Sequence, residues 1–169
     1  MTAVGQVKRA VAAAIKAAGC AAIESYSEEQ LKRYATAVAA VGTKETVIEE
    51  SGAAQYLGEK VDEATQKTVS VYGRKLLLTL LIEVYAPRTL GAAGCEKAAE
   101  TITQAMMTAL PEGLKLGSLQ WGKTGWDKMT GMFRLDASAK YAAYFVAEAA
   151  EDETVFTDFV LKGTVKERE

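Results

Sequence analysis

The sequence predicts an α+β domain: an antiparallel or mixed β-sheet flanked by two main α-helices, with a β-hairpin projecting from it. Three stretches predict it. Leu76, Leu77, Leu78, Leu80, Leu81, Ile82 and Val84 form a run that is apolar on both alternating faces, as in a strand enclosed within a domain. Cys95, Ala98, Ala99, Ile102, Met106, Ala109 and Leu110 recur at steps of three and four and make the apolar stripe of a helix, with Glu96, Lys97, Glu100 and Gln104 mainly off it. Phe133, Leu135, Ala137, Ala139, Tyr141, Ala143, Phe145 and Ala147 alternate with a more polar set that includes Arg134, Asp136, Ser138 and Lys140. That two-residue period is a long strand with one face against helices and the first half of the other toward solvent or a lumen.

The remaining elements follow in chain order. Val4, Val7, Val11, Ala14, Ile15 and Ala18 give an opening helix its buried stripe, Thr2 is its candidate N-cap, and Gly19 supplies the left-handed residue that closes it. Lys8, Arg9 and Lys16 on that helix are read as solvated charges rather than a binding face. Residues 21–25 suit a short strand, and Ser27 followed by Gln30 has capping-box spacing for one helical turn. After Gly42, Thr43, Glu45, Val47 and Glu49 alternate with Lys44, Thr46 and Ile48 as a partly buried strand. Residues 55–72 read as a hairpin with a polar turn at 62–66, too poor in apolar residues to make a core of its own and so in need of a neighbour. Pro87 ends the central strand, residues 91–94 give a loose glycine connection, and Pro111 with Gly113 ends the second main helix. Glu151, Asp152 and Glu153 form an acidic turn, residues 155–165 return as the last strand, and residues 166–169 are a tail.

Composition bounds the function. A chain of 169 residues that is 49% hydrophobic and 25% charged makes one domain, residues 1–169, able to bury a core without metal or disulfide staples. A net charge of -2 argues against gripping nucleic acid through overall charge. Cys20 and Cys95, far apart at helix borders, form neither a disulfide framework nor a metal-ligand spacing, and are read as reduced and half buried. Lys8, Arg9 and Lys16 punctuate the N-terminal alanines, which lack the uninterrupted apolar core of a signal peptide, and no window reaches the length of a membrane span; the expectation is a cytoplasmic protein with no membrane partner.

Residues 117–124 fit the phosphate-loop pattern G-x-x-x-x-G-K-[ST] through Gly117, Gly122, Lys123 and Thr124. Their context argues against it. Such a loop must open a helix, whereas Gly125, Trp126 and Gly131 follow here and the chain runs on into a strand. We read a glycine-rich turn with Trp121 and Trp126 as packing or interface aromatics. The acidic residues Glu49, Glu50, Glu59, Asp62 and Glu63 match no calcium loop and are read as an exposed turn. There is no histidine, which removes the commonest general base and the usual zinc chemistry, and nothing in the spacing selects a serine and lysine or a carboxylate pair. The expectation is a protein that is not an enzyme, with no cofactor and no metal.

Tyr56-Leu57-Gly58-Glu59, the polar turn, Val71-Tyr72-Gly73, the strand end Ile82-Glu83-Val84-Tyr85-Ala86-Pro87, the Gly94-Cys95 helix start and the ending over residues 133–166 together resemble the tail terminator (tail completion) proteins of tailed bacteriophages and related prophages and phage-tail-like particles. The likeness covers most of the chain, and its motifs are structural rather than catalytic. It implies a domain of antiparallel sheet and flanking helices that assembles as a hexameric ring, caps the finished tail tube and offers a docking surface to the head or neck. The implied partners are further copies of the chain, the tail tube protein, a sheath where there is one, and a head or neck connector, with DNA only passing through the lumen. The implied location is the virion tail, after assembly in the bacterial host cytoplasm. Candidate subunit-interface residues are Tyr56, Leu57, Val61, Val69, Val71 and Tyr72 of the arm, together with Trp121 and Trp126. Two other roles stand beside this one: a head-tail adaptor or tail tube subunit, and a small cytosolic nucleotide-binding enzyme using the loop at residues 117–124.

Overall fold

The structure, a computed structural model, describes residues 3–50 and 55–149. In chain order these form α1 (Ala3–Ala17), β1 (Ala21–Ile23), α2 (Glu28–Leu31), β2 (Val38–Glu50), β3 (Tyr56–Val61), β4 (Thr68–Ala86), α3 (Gly91–Thr108), β5 (Lys115–Trp121), β6 (Gly125–Asp127) and β7 (Met132–Ala149). The strands make one mixed sheet in the order β1-β2-β4-β7-β5, with β3 also on β4 and β6 also on β7. β1 and β2 are the parallel pair. This is the α+β architecture that the sequence predicts.

Two long hairpins build the sheet. β4 and β7 pair from Ser70↔Ala149 to Ala86↔Phe133. On the far side of β4, β2 pairs with residues 74–85 and β3 takes over at residues 68–72, so β2 and β3 act as one edge strand broken between residues 50 and 56. The hairpin expected over residues 55–72 is therefore the tip of a longer one, and β7 makes it three-stranded, which removes the weakness of an isolated two-stranded arm. Along the far side of β7, β5 and then β6 repeat the arrangement. Both hairpins close on the same D-x-x-T turn. Asp62 accepts from the Ala64 amide at 3.0 Å and the Thr65 hydroxyl at 2.8 Å; Asp127 accepts from the Met129 amide at 3.1 Å and the Thr130 hydroxyl at 2.7 Å. The threonine hydroxyl in each turn holds its aspartate below the usual carboxylate range.

The main core lies between one face of the sheet and helices α1 and α3. Val7, Val11, Ala14 and Ile15 from α1 and Cys95, Ala98, Ala99, Ile102 and Met106 from α3 meet Leu76, Leu78, Leu80 and Ile82 of β4 and Ala137, Ala139 and Tyr141 of β7. α1 ends as the sequence suggests: Gly19 has φ 92°, its amide bonds the Lys16 carbonyl, and the Cys20 amide reaches the Ile15 carbonyl, which satisfies the last turn. α2 covers only one end of the opposite face, where Leu31 packs with Ile23, Val38, Ala40, Tyr85 and Met132. Ser27 caps it by accepting from the Gln30 amide.

Several boundaries differ from the sequence reading. β2 begins at Val38, before Gly42, because Val38, Ala39, Ala40 and Val41 are its buried part, while residues 43–50 are exposed. α3 begins at Gly91, not Cys95, because amide bonds from Leu90 to Pro87 and from Gly94 to Leu90 wind the glycine connection into the helix. A Cβ on Gly94 would lie 2.7 Å from that of Leu90, so the tight entry requires glycine. The helix stops at Thr108, which leaves Ala109 outside its stripe and exposed. On the open face of β4, Tyr85 and Thr79 are buried, whereas Leu77 and Leu81 are only partly buried, so the strand is not enclosed along its whole length. Both cysteines are fully buried rather than half buried. Gly117 lies within strand β5, so only residues 122–124 of the presumed glycine-rich turn are a turn. The Thr2 cap, the final strand over residues 155–165 and the Phe145 side chain lie outside the described residues.

Leu80 is completely buried in the main core. Leu80→Ala is expected to cost about 2–5 kcal/mol, measured by urea unfolding, through lost transfer energy and the cavity left behind.

Candidate functional site

Three surfaces carry the residues that the core does not use. The first is the arm, formed by β3, the start of β4 and the end of β7. Tyr56 and Val61 are exposed, at 42% and 57%. Leu57, Val69 and Tyr72 are half-buried, and Val71 is buried. The Tyr56 and Tyr72 rings meet edge to face across the strand pair, 5.6 Å between centroids, which stiffens the tip. None of these six residues belongs to either core cluster.

The second surface is the open face of the sheet, where a charge network spans β4 and β7. The strand register sets Glu83 opposite Asp136 and Tyr85 opposite Arg134. Two carboxylates placed opposite one another repel. Arg134 resolves this: Nη2 lies 2.6 Å from Glu83 Oε1, and Nε donates to Asp136 Oδ1 at 2.7 Å. The Tyr85 hydroxyl donates to Glu83 at 3.3 Å, the Arg134 guanidinium stands 5.9 Å from the Tyr85 ring centroid, and Tyr26 closes the group against Tyr85. Burial pushes the Glu83 carboxyl up from its ordinary 4.5, and the pull of Arg134 in the other direction is the smaller effect. Hydrogen bonding to Asp136 raises Arg134 most. Both carboxylates share the one guanidinium, so the cluster ties β4 to β7 through Arg134. The sequence reading placed Arg134 and Asp136 on a polar face but missed their partner; the available signal was Glu83, the lone acid inside the apolar central strand.

The third surface is a groove of about 470 Å³ between α3 and β5, lined by Ala99, Glu100, Thr103, Gln104, Met107, Thr108 and Trp121. Trp121 is fixed there: its indole N–H donates to the Thr103 hydroxyl at 2.9 Å, which in turn donates to the Ala99 carbonyl at 2.7 Å. Met107 on the rim is 76% exposed. Trp126 is not in the groove but packs edge to face on Phe133, at 5.1 Å. The structure therefore keeps the two tryptophans apart from each other, and neither stands on the arm.

The phosphate-loop pattern at residues 117–124 is divided between β5 and a turn. The Gly122 amide bonds the Asp136 carbonyl at 2.8 Å, and the chain continues into β6, so the backbone donors of this segment do not face a helix N-terminus. The Cys95 thiol donates to the Phe133 carbonyl, and burial pushes it up to about 11, which keeps it protonated and unreactive at neutral pH. Among the described residues, no helix is long and apolar enough to cross a membrane and no group of three or more His, Cys, Asp or Glu side chains could hold a metal ion. No protein-family model matches the chain, and no curated protein matches it.

Two measurements check these assignments. Glu83 has a raised folded-state pKa, so its contribution to stability is present below its unfolded value and is lost as pH rises through the folded one; at neutral pH the ionised carboxylate depends on Arg134. Arg134→Ala should cost about 1–2 kcal/mol at neutral pH, allowing for the solvent around the guanidinium, and less in acid where Glu83 is protonated. Urea titrations at both pH values test this, and an equal loss at each would remove Glu83 from the account. Lys123→Ala, at an exposed turn, should change stability by no more than about 0.5 kcal/mol. Calorimetry with ATP should show no binding to lose.

Proposed function

We propose that this chain is a structural subunit of a phage tail or tail-like particle, which closes the end of the tail tube as a ring and offers its outer surface to the head or neck. The observation that carries the reading is the arm. Tyr56, Leu57, Val61 and Val69 stand outside both core clusters on a three-stranded extension, and Val61 and the outer part of Tyr56 leave apolar surface exposed there. A neighbouring copy that receives the arm would bury it. Such a contact is heterologous, each copy giving one surface and receiving another, and repetition around an axis closes a ring. The sheet flanked by helices and the position of the arm agree with the resemblance to tail terminators, and the charge network of the open face fits a structural part better than a reacting one. In this reading the tail tube protein, a sheath where there is one, and a connector of the head or neck are the partners, six copies form the ring, and DNA passes through without being gripped.

Replacing residues 55–72 with a short Gly/Ser linker removes the arm and leaves both core clusters in place. The shortened protein should melt cooperatively, sediment as a monomer and fail to cap tail tubes, while the parent forms one ring and stops there. A shortened protein that still forms rings would refute the role of the arm. A parent that polymerises into filaments would identify a tube subunit instead.

A further inference from the structure

Among the described residues the sheet has two open edges. β1 pairs with β2 only as far as Ala40, so the outer edge of β2 over residues 43–50 has no strand beside it. At the other end of the sheet, β5 pairs with β7 alone. Native sheets usually blunt such edges with charge. Glu45, Glu49, Glu50 and Lys44 would serve that purpose on β2, but blunting does not require Val47 and Ile48, which are 39% and 51% exposed on the same stretch.

The two edges complement each other. The β2 edge is acidic, three glutamates against one lysine, whereas β5 carries Lys115 and no acid, with Lys123 two residues beyond its end and Glu112 three residues before its start. Their lengths agree, residues 43–50 against Lys115–Trp121. Ile48 is opposite Leu76, and Trp121 is opposite Ala137, so both lie on the helix face of the sheet. That is the face on which the groove between α3 and β5 opens. β2 also runs opposite to β5, since β2, β4, β7 and β5 are successively antiparallel. A second copy turned about an axis along the strands would therefore bring its β2 antiparallel to this β5.

We propose that the outer edge of β5 and the adjoining groove receive residues 43–50 of a second copy of this chain, which adds its β2 as a further strand and lays Ile48 against Met107 and Trp121. Backbone hydrogen bonds along the added strand hold it, the apolar groove sets its face, and the acidic edge against Lys115 and Lys123 sets its direction. This contact deepens the ring reading above, on which it rests for closure, and it is separate from the arm.

The test inverts one edge at a time in the full chain and follows self-association by sedimentation. One variant carries Glu45→Lys with Glu49→Lys, and the other Lys115→Glu with Lys123→Glu. Each alone should need at least about tenfold more protein to assemble, because like charges now meet. The two mixed should recover assembly, since each restores opposite charge to the other. Ile48→Asp and Met107→Asp, both at exposed positions, should weaken assembly without lowering the melting temperature. If the parent assembles and the variants assemble like it, alone or mixed, the edge pairing is wrong and the ring reading stands. If the charge rescue works but tail tubes remain uncapped, the pairing stands and the capping role falls. A parent that stays monomeric with and without tubes overturns both.

Discussion

The ladder between β4 and β7 is the constraint on which the rest of the structure depends. Side chains alternate along a strand, so slipping this pairing by one residue would turn every core side chain of one strand to the open face. The register in place sets large against small on the helix side: Leu80 opposite Ala139, Ile82 opposite Ala137 and Leu76 opposite Ala143. The small residues of β7 leave room for α3, itself lined by Ala98, Ala99 and Ala105, to lie close to the sheet. Leu135 and Phe133 at one end and Tyr141 farther along are the larger side chains of β7 on this face; Tyr141 also brings a polar group. Its hydroxyl meets the Met106 sulfur, so the one polar atom it brings into this layer has a partner.

The same register creates a liability on the other face. Glu83 and Asp136 are placed opposite each other, and only the guanidinium of Arg134, bonded to both, makes the arrangement tolerable. Because Tyr85 and Tyr26 stack beside it, the network also ties the short helix α2 and the loop before it to the sheet. A slip in the ladder would separate these charges and expose the core together. The charge network thus acts as a second reader of the register that the apolar face specifies, since Glu83, Arg134 and Asp136 meet only in this pairing.

Elements with a strong period were legible in the sequence: α1, the centre of β4, the stripe of α3 and the alternation of β7 all appear where their patterns place them. What escaped were features set by neighbours rather than by local pattern. Residues 91–94 read as loose because glycine disfavours helix, yet the tight contact of Gly94 with Leu90 and Ala86 selects glycine there. Gly117 reads as a turn, but it sits at a bulge where the pairing with β7 shifts between Leu116 and Ser118. The unity of β2 and β3 is invisible locally, since it exists only through their shared partner β4. That the arm residues lie outside the core clusters was legible from how few apolar residues that stretch holds. The groove at Trp121 was not, because it is built from α3 and β5 across the fold.

The separation of these surfaces from the core has a consequence for assembly. Most of the buried side chains lie between the sheet and α1 and α3, with a smaller cluster around Tyr85 and Leu31 on the opposite face, whereas the arm and the outer part of β2 contribute pairing and exposed apolar area but little interior. Changes to those extensions therefore leave the fold's own stability largely intact. Association also loses less entropy when the docking element is already rigid. Here the arm is held on both sides of β4, closed by the D-x-x-T turn and braced by Tyr56 against Tyr72, so it is already ordered within the single chain. In the ring proposed above, such an arm would enter the contact already ordered, and its exposed apolar area would go into the contact rather than into ordering the chain.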